Sequence, residues 1–503
     1  MHHHVLNDLN RVAFEKPDKI AFSDGVNDMT FGQLYRQSRG VGTFLHRRGI
    51  YRRPVVVFME KSPQEVAAFF GIVAGGCFYV PIDEEMPGSR IQMILDNVRT
   101  PLVICDRHTL PTAQGFRLDG AEVVLYSEAA GTEVDGEALE GIYSRAIDTD
   151  PIYIVFTSGS TGVPKGVAAC HRSVLDYMEQ LSETLGFDEN TVFGSQTPLY
   201  FDACLKELYS TVKFGATTYL IPKRLFSIPV ALVEYLNEHR INTVCWVVSA
   251  LTMISAFGTF DIVKPRYLRT IAFGSEVFPA KQLRLWRQAL PEASFTNLYG
   301  PTEGTGMCCY YHVDREFEAG EPIPIGRPFP NREILLLTED GRLAAPGEDG
   351  EICIRGTSLT LGYYNDPQRT AASFVQNPLQ TAYPELIYKT GDIGRYNERG
   401  ELVFVSRKDY QIKHMGHRVE LGEIEVNVGL VAGVRMAACV YDAQRGKIVL
   451  YYVGDIAEGD LTAALKTSLP RYMLPNRLVR LERLPLTANG KIDRVALRQT
   501  AGK

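Results

Sequence analysis

Apolar and polar positions alternate along most of the chain in segments whose lengths are typical of helices and strands. The run Ser62-Pro63-Gln64-Glu65 predicts a helix start, with serine as N-cap, proline in the first turn and glutamate completing a capping box. We expect this helix to continue to about Gly75 and a strand to follow over Cys77–Ile82. The alternation persists to about residue 330, which predicts α/β layers with largely parallel sheets.

The pattern changes after residue 330. Short apolar runs separated by glycine turns, at Ile334–Leu337, Gly350–Ile354 and Glu401–Val405, predict a small β-rich subdomain. Residues 410–503 carry 14 Lys and Arg against 9 Asp and Glu, a net +5, although the whole chain is at −6. We therefore expect a large N-terminal domain of layered α/β subdomains plus a small β-subdomain over 1–408. A small, basic α+β domain is expected over 409–503.

Composition narrows the class of protein. A chain of 503 residues is too long to fold around one hydrophobic core, so we expect two or more domains. Its composition, 45% hydrophobic and 22% charged residues, is that of an ordinary soluble protein. The negative net charge argues against nucleic-acid binding, and nine scattered cysteines without zinc-ligand spacing favour a reducing compartment. Met1–Val5 lacks the apolar core of a signal peptide, and glycines and a proline interrupt the most apolar stretch, Val66–Ile82. We expect a cytoplasmic protein with no membrane insertion.

The most informative stretch is Thr157–Gly166, which holds three glycines, two serines, two threonines and one lysine. It follows Ile152–Phe156, a β-branched and aromatic run that predicts a buried strand. Glycines permit positive φ, and successive N–H groups in such a turn converge into an anion-binding nest. Lys165 adds positive charge. The spacing is not that of the Walker motif, and the expected ligand is a polyphosphate.

This stretch resembles the phosphate loop of the adenylate-forming (AMP-binding) superfamily. The resemblance is specifically to stand-alone amino-acid adenylation enzymes of nonribosomal peptide synthesis and to D-alanine–carrier-protein ligases. It continues, motif by motif, from about Lys61 to Arg494. It implies ATP- and Mg²⁺-dependent conversion of an amino acid to its acyl-AMP. Transfer to the phosphopantetheine thiol of a carrier protein would follow.

Further motifs supply the nucleotide residues that the resemblance implies. Tyr299 would stack on adenine and Asn297 would bond its exocyclic amine, while Asp392 would accept from the ribose hydroxyls. Thr302 and Glu303 would be catalytic residues that bind phosphate and Mg²⁺. Glu303 would be the metal ligand, because carboxylates bind hard cations. The positions that the resemblance assigns to ATP or AMP are Thr157, Ser158, Gly159, Ser160, Thr161, Gly162, Lys165, Ser275, Glu276, Asn297, Leu298, Tyr299, Gly300, Thr302, Asp392, Arg407 and Lys491.

The last motif lies near the C-terminus. Asn489-Gly490 is a tight-turn dipeptide that would present Lys491 at its tip, where a lysine is usually only solvated. The resemblance makes Lys491 the catalytic lysine that reaches the substrate carboxylate and the α-phosphate. It makes Asp409 the hinge about which a mobile C-terminal domain turns. No carrier attachment motif follows Arg494, so we expect the carrier protein on a separate chain.

Asp202 and Lys206 are four residues apart at the start of a predicted helix, which alone is typical of a surface ion pair. The resemblance instead places Asp202 against the substrate's α-ammonium and Lys206 in the side-chain pocket. Small residues would leave room there, and Leu298 and Met307 would make apolar walls. The full set of substrate positions is Asp202, Ala203, Lys206, Cys245, Ala272, Gly274, Leu298, Gly306 and Met307.

The charge of Lys206 leaves the substrate open. A buried cation without a partner is costly, so Lys206 pairs with an acid such as Glu207, turns to solvent, or awaits an acidic or carbonyl-bearing side chain. The sequence is equally compatible with a small amino acid such as alanine, with Lys206 folded aside. The enantiomer, carrier protein and oligomeric state also stay open.

The sequence leaves three alternative functions. One is a D-alanine–D-alanyl carrier protein ligase specifically. Another is an acyl-CoA synthetase, which needs no carboxylate for an amine, so Asp202 counts against it. The third is a catalytically inactive binding or regulatory module. The presence of Lys165, Glu303, Asp392 and Lys491 counts against that alternative.

Overall fold

A computed structural model describes residues 3–159, 162–318, 321–408, 411–443, 445–485 and 492–501. The chain divides into two compact units. The larger unit comprises Met1–Glu84, Val98–Val155 and Val167–Lys408. The smaller comprises Glu85–Asn97, Phe156–Gly166 and Asp409–Lys503, so it contains the glycine-rich loop as well as the C-terminal segment.

The helices alternate with strands through most of the larger unit. The α-helices are α1 (Asn7–Glu15), α2 (Phe31–Arg47), α3 (Pro63–Ala74), α4 (Gly88–Val98), α5 (Leu110–Ala113), α6 (Tyr126–Ala130), α7 (Gly136–Tyr143), α8 (His171–Leu185), α9 (Leu205–Phe214), α10 (Pro229–Glu238), α11 (Val248–Ala256), α12 (Ala280–Ala289), α13 (Pro367–Ser373), α14 (Leu421–Gly429), α15 (Glu458–Lys466) and α16 (Arg494–Ala501). The β-strands are β1 (Ile20–Ser23), β2 (Asp28–Thr30), β3 (Pro54–Phe58), β4 (Phe78–Pro81), β5 (Leu102–Cys105), β6 (Glu122–Leu125), β7 (Pro151–Thr157), β8 (Lys165–Cys170), β9 (Val192–Ser195), β10 (Thr217–Leu220), β11 (Thr243–Val247), β12 (Thr270–Gly274), β13 (Ser294–Tyr299), β14 (Cys309–His312), β15 (Arg327–Pro328), β16 (Arg332–Leu337), β17 (Gly350–Gly356), β18 (Gly362–Tyr363), β19 (Phe374–Gln376), β20 (Leu386–Tyr396), β21 (Leu402–Arg407), β22 (Gln411–His414), β23 (His417–Glu420), β24 (Val434–Asp442), β25 (Lys447–Gly454) and β26 (Arg477–Arg480).

The larger unit contains two sheets whose central strands run parallel. A nine-stranded sheet has the order β15-β14-β13-β12-β11-β9-β10-β1-β2, and a seven-stranded sheet has the order β18-β8-β7-β4-β3-β5-β6. The connections between their parallel strands pass through helices, as parallel pairing requires. In the first sheet β11, β12 and β13 pair in parallel, so their carboxyl ends meet at one edge. Ligands of open α/β sheets bind at such edges.

The third sheet of the larger unit is antiparallel, with the order β16-β17-β20-β19 and with β21 paired to β20. It contains the three short runs that predicted a β-rich subdomain. The register places Asp392 of β20 opposite Arg407 of β21. This pairing brings together two residues that the sequence analysis assigned to the nucleotide.

The smaller unit has its own core around the three-stranded sheet β24-β25-β26. One face of this sheet packs against α14 and α15 through residues such as Cys439 and Leu450. The other face packs against α16 through Val440 and Tyr451. The alternation of the two sets along β24 and β25 is that of a strand buried on both faces, and it makes this segment α+β.

Local signals account for the predicted elements. Ser62 caps α3 by accepting a hydrogen bond from the Glu65 amide at 3.2 Å, and the helix ends next to Gly75. The predicted strands at 77–82 and 152–156 are confirmed as β4 and β7, with ends shifted by one residue.

All nine cysteines are buried and free. None of the helices in the described ranges is both long and apolar enough to cross a membrane.

Candidate functional site

A small cavity lies at the carboxyl ends of β11, β12 and β13. It has room for about one water molecule. Seven of the nine predicted substrate positions line it, together with Thr197, Trp246, Val247, Phe273 and Ser275. Asp202 and Gly306 are the two predicted positions outside this lining. The seven are Ala203, Lys206, Cys245, Ala272, Gly274, Leu298 and Met307.

The glycines around the cavity are required by the protein's own packing. A Cβ at Gly274 would lie 2.4 Å from the carbonyl oxygen of Leu298 on the neighbouring strand. A Cβ at Gly306, where φ is +76°, would lie 2.6 Å from the Tyr177 ring. At Gly300 it would lie 2.2 Å from the Gly306 carbonyl oxygen. These positions therefore allow close backbone approach, and the space that a side chain would fill is already occupied by protein atoms.

Asp202 begins a 3₁₀ turn, Asp202–Cys204, that leads into α9. Burial raises the pKa of its carboxyl group, and the Lys206 ammonium and a hydrogen bond from Thr302 oppose that rise. Asp202 is therefore next to the Thr302–Gly304 turn that carries the predicted phosphate and metal residues. A carboxylate in this position can bind a cationic group close to that turn.

Lys206 is buried and lines the cavity one helical turn beyond Asp202. Among the described residues it has no ion-pair partner. Burial raises the pKa values of Asp202, Glu207 and Cys245, and the Lys206 ammonium opposes each rise, so it lies within electrostatic reach of all three. The surface ion pair that the spacing alone would suggest is not formed among these residues.

Behind the cavity lies a buried carboxylate, Glu207. Its side chain has no exposed surface, and neither of its oxygens bonds to another described residue. Burial raises the pKa of Glu207 to about 7, and the charges of Lys206 and Lys61 limit the rise. Burial conversely lowers the pKa of Lys61 to about 8, with Glu207 opposing it. Lys61 also donates to the Ser195 carbonyl oxygen at 3.0 Å.

Sequence reasoning did not find the part played by Lys61, which lies 146 positions before Glu207 along the chain. Its only local signal is its position just before the capped start of α3. Lys61 and Glu207 come close because α3 packs against α9, and a local sequence pattern does not predict that packing.

Asp392 is the centre of a second polar cluster. The Tyr299 hydroxyl donates to its Oδ2 at 2.5 Å, and Arg407 Nη1 donates to its Oδ1 at 2.5 Å. The Asp392 amide donates to the Thr390 hydroxyl at 2.9 Å, which fixes the backbone. Burial, followed by the nearby Asp392 charge, raises the pKa of Tyr299 well above its usual range, so the hydroxyl stays a donor. These contacts hold one carboxylate in a defined orientation.

The other predicted adenine-side residues are also held by the protein. Asn297 Nδ2 donates to the Pro324 carbonyl oxygen at 2.8 Å. Glu276 accepts from the Ser249 amide at 2.8 Å. Ser275 has a φ of +68°, which a non-glycine residue adopts only when its surroundings impose it. The turn after β12 therefore holds Ser275 in a backbone conformation that is unusual for a residue with a side chain.

Glu303 is fully buried and accepts a hydrogen bond from the Tyr363 hydroxyl at 2.7 Å. The described residues contain no group of three or more His, Cys, Asp or Glu that could hold a metal ion. Mg²⁺ is usually held by one or two carboxylates together with substrate phosphates, and a single oriented carboxylate fits that mode. Glu303 is therefore compatible with the predicted metal role.

The glycine-rich loop belongs to the smaller unit. Thr157 and Ser158 are buried, Gly162 has a φ of +81°, and Lys165 begins β8. The Gly162 amide donates to the Gly159 carbonyl oxygen at 3.0 Å. Four predicted site residues lie outside the described residues: Ser160, Thr161, Asp409 and Lys491.

The sequence is similar to those of known proteins. Residues 9–364 match the family model described as AMP-binding enzyme. The chain is 30% identical to D-alanine–D-alanyl carrier protein ligase of Bacillus licheniformis, over 98% of this chain and 99% of the ligase. It is also 30% identical to tyrocidine synthase 1 of Brevibacillus parabrevis, over 96% of this chain. The chain spans only 43% of that synthase, and less of several other curated relatives.

A solved structure shares the fold. It is that of holo-PA1221, described as a nonribosomal peptide synthetase protein containing adenylation and carrier domains, bound to a vinylsulfonamide inhibitor. The TM-score is 0.83 at 26% identity, covering 99% of this chain and 84% of that one. The predicted mixed α/β class is confirmed by this similarity.

Proposed function

The chain belongs to the AMP-binding enzyme family, as its motifs predicted, and from this premise we propose that it adenylates an amino acid with ATP. We propose further that it passes the aminoacyl group to the phosphopantetheine thiol of a separate carrier protein. As a family member it is an adenylate-forming ligase. The observation that carries the amino-acid assignment is Asp202, a carboxylate next to the Thr302–Gly304 turn and at the start of the helix that lines the cavity.

The chemistry needs positioning and charge neutralisation. A carboxylate oxygen of the amino acid attacks the α-phosphorus of ATP, the bond to pyrophosphate breaks, and an acyl-AMP forms. Asp202 orients the α-ammonium, Asp392 holds the ribose, and Glu303 would hold Mg²⁺, which supplies charge neutralisation when bound. The carrier thiolate then attacks the acyl carbon and AMP leaves. Lys491, outside the described residues, keeps its predicted role beside the reacting carboxylate. The domain over 409–503 keeps its predicted movement about Asp409.

A narrower candidate is the activation of a small amino acid such as D-alanine. The cavity has room for about one water molecule, which limits the size of the substrate side chain that fits this conformation of the cavity. The 30% identity to a D-alanine–D-alanyl carrier protein ligase, over nearly the full length of both chains, also favours this candidate.

The test is ATP–pyrophosphate exchange with a panel of amino acids and their deaminated analogues. Exchange with at least one amino acid, but not with the matching acid that lacks the amine, is the expected result. Efficient activation of simple carboxylic acids, followed by transfer to coenzyme A, would instead support an acyl-CoA synthetase.

A further inference from the structure

The glycine-rich loop is held by a carboxylate within the smaller unit. The Gly159 amide donates to Glu423 Oε2 at 3.2 Å, and the Ser158 hydroxyl donates to the Arg418 carbonyl oxygen at 2.6 Å. Glu423 lies in the first turn of α14. One backbone N–H of the predicted phosphate nest is therefore already bonded to an anion that the protein itself provides.

Arg90 completes this arrangement. Its guanidinium, on α4, pairs with Glu423 Oε1, so the two carboxylate oxygens serve two different donors. Both side chains are almost fully buried, at 3% exposure for Arg90 and 1% for Glu423. Burial raises the pKa of Glu423, while the Arg90 charge and the Gly159 amide oppose the rise. A buried charge of this kind is stable only while both of its partners are present.

The two donors that Glu423 uses are of the type that binds phosphate. Backbone N–H groups of a glycine-rich turn and an arginine guanidinium are recurrent phosphate ligands. An amide has one hydrogen, so Gly159 cannot donate fully to Glu423 and to a phosphate oxygen at the same time. The carboxylate therefore occupies a donor that a bound polyphosphate needs.

We propose that Glu423 is an internal competitor for the phosphate loop and a positioning residue for the second half-reaction. The loop binds either a polyphosphate or Glu423, and departure of pyrophosphate lets Glu423 take the Gly159 amide. This contact, held by Arg90, then fixes the loop while the carrier thiol reacts. The inference rests on the proposed function for its second step, but the competition itself requires only polyphosphate binding.

The first experiment measures the binding of inorganic pyrophosphate to the full chain by calorimetry. Glu423→Gln keeps the shape of the side chain but removes the competing charge and leaves Arg90 able to attract phosphate. Because apparent affinity scales with the fraction of loops free to bind, pyrophosphate should bind about 3- to 10-fold more tightly. Affinity within twofold of wild type, or weaker, in a folded variant overturns the competition.

A matched control lies on the same helix. Glu425, two residues further along α14, is held by Arg494 at 2.6 Å and accepts from the Cys439 amide at 2.6 Å. Glu425→Gln therefore also breaks a partly buried ion pair, but pyrophosphate affinity should not change. If Glu423→Gln does not fold, the double variant Arg90→Met/Glu423→Leu removes both charges together. It should still bind pyrophosphate more tightly than wild type, and equal or weaker binding overturns the proposal.

The second experiment separates the half-reactions. With Glu423→Gln, the KM for ATP in pyrophosphate exchange should fall while the maximal exchange rate is retained. Single-turnover transfer from preformed aminoacyl-AMP to the carrier protein should slow by about tenfold, the size of a modest positioning effect. Unchanged transfer removes the positioning role. Absence of exchange by wild type with every amino acid would defeat the proposed function, whereas the pyrophosphate measurement would still decide the competition.

Discussion

Two buried acidic sites in the larger unit differ in how completely the protein satisfies them. Both oxygens of Asp392 bond to protein donors, one to Tyr299 and one to Arg407. The carboxylate oxygens of Glu207 accept no hydrogen bond from another described residue, and the nearby Lys206 has no ion-pair partner among the described residues. The first site is complete by itself, whereas the second leaves polar groups whose burial is costly.

This contrast matches the two ligands that the sites are proposed to bind. The ribose of ATP is the same in every reaction of the family, so a carboxylate fixed in advance by two donors suits it. The amino acid differs from one enzyme to another. A pocket backed by incompletely paired charges can use those charges to select a side chain, because an unsuitable substrate leaves them unpaired. The comparison therefore predicts different responses to mutation.

The largest effect is expected at Asp392. Asp392→Ala removes a buried carboxylate that pairs with Arg407 and accepts from the Tyr299 hydroxyl, so the free energy of unfolding should fall by about 3–5 kcal/mol. The kcat/KM for ATP should fall about 1,000-fold with every amino acid, since a charged ribose acceptor is lost. Chemical denaturation and pyrophosphate exchange measure the two losses. A stable variant with nearly normal ATP kinetics would remove Asp392 from both roles.

The next effect is expected at Asp202. Asp202→Asn keeps the size of the side chain but removes the charge opposite the α-ammonium, so kcat/KM for the amino acid should fall about 100-fold. The KM for ATP should stay within twofold of wild type, which distinguishes this change from Asp392→Ala. Equal losses for both substrates would mean that Asp202 acts through the adjacent Thr302–Gly304 turn.

The fold was predictable wherever local chemistry determines it. The Ser62 cap and the apolar run before Thr157 gave α3 and β7. The order of the nine strands in the largest sheet was not predictable, because strand pairing joins segments far apart along the chain. The observed ends of α3, β4 and β7 differ from the predicted ends by about one residue, because the boundaries of helices and strands are poorly defined.

The same division applies to the candidate site. The family resemblance identified seven residues that line one cavity. Four of them, Cys245, Ala272, Gly274 and Leu298, lie on the neighbouring strands β11, β12 and β13. The resemblance did not identify Tyr363 as the partner of Glu303, or Arg90 as the partner of Glu423. Those contacts join residues 60 and 333 positions apart, and no periodic pattern relates them.

The stability of the protein should depend on pH through Glu207. Burial raises the pKa of Glu207 to about 7, so between its unfolded pKa near 4.5 and pH 7 the folded state binds more protons than the unfolded state. The stabilising contribution of the protonated carboxyl is thus present below about pH 4.5 and is lost as pH rises through 7. Relative to Glu207→Gln, wild type should lose about 2–3 kcal/mol of stability between pH 5 and pH 8.

Denaturation of both proteins across this range checks the prediction. The titratable groups around Glu207 are Lys206, Lys61, Cys204 and Cys245, and the variant retains all of them. Subtracting the variant's curve therefore leaves the contribution of Glu207 and its coupling to those neighbours. Parallel curves would show that Glu207 keeps one protonation state, with the Lys61 and Lys206 charges holding it ionised.

The smallest effect is expected at Lys206, where a substitution should change the preference among amino acids. Lys206→Met nearly conserves volume and removes the one cation that lines the cavity among the described residues. If Lys206 recognises the substrate side chain, the ranking among glutamate, aspartate, glutamine and the two alanine enantiomers should change by about tenfold in kcat/KM. Pyrophosphate exchange with that panel measures it. Lys213→Met is the control, because Lys213 lies near the end of the same helix and pairs with Glu179 outside the cavity. An unchanged preferred amino acid in Lys206→Met would show that the lysine only balances Asp202 and Glu207, and that the size of the cavity selects the substrate.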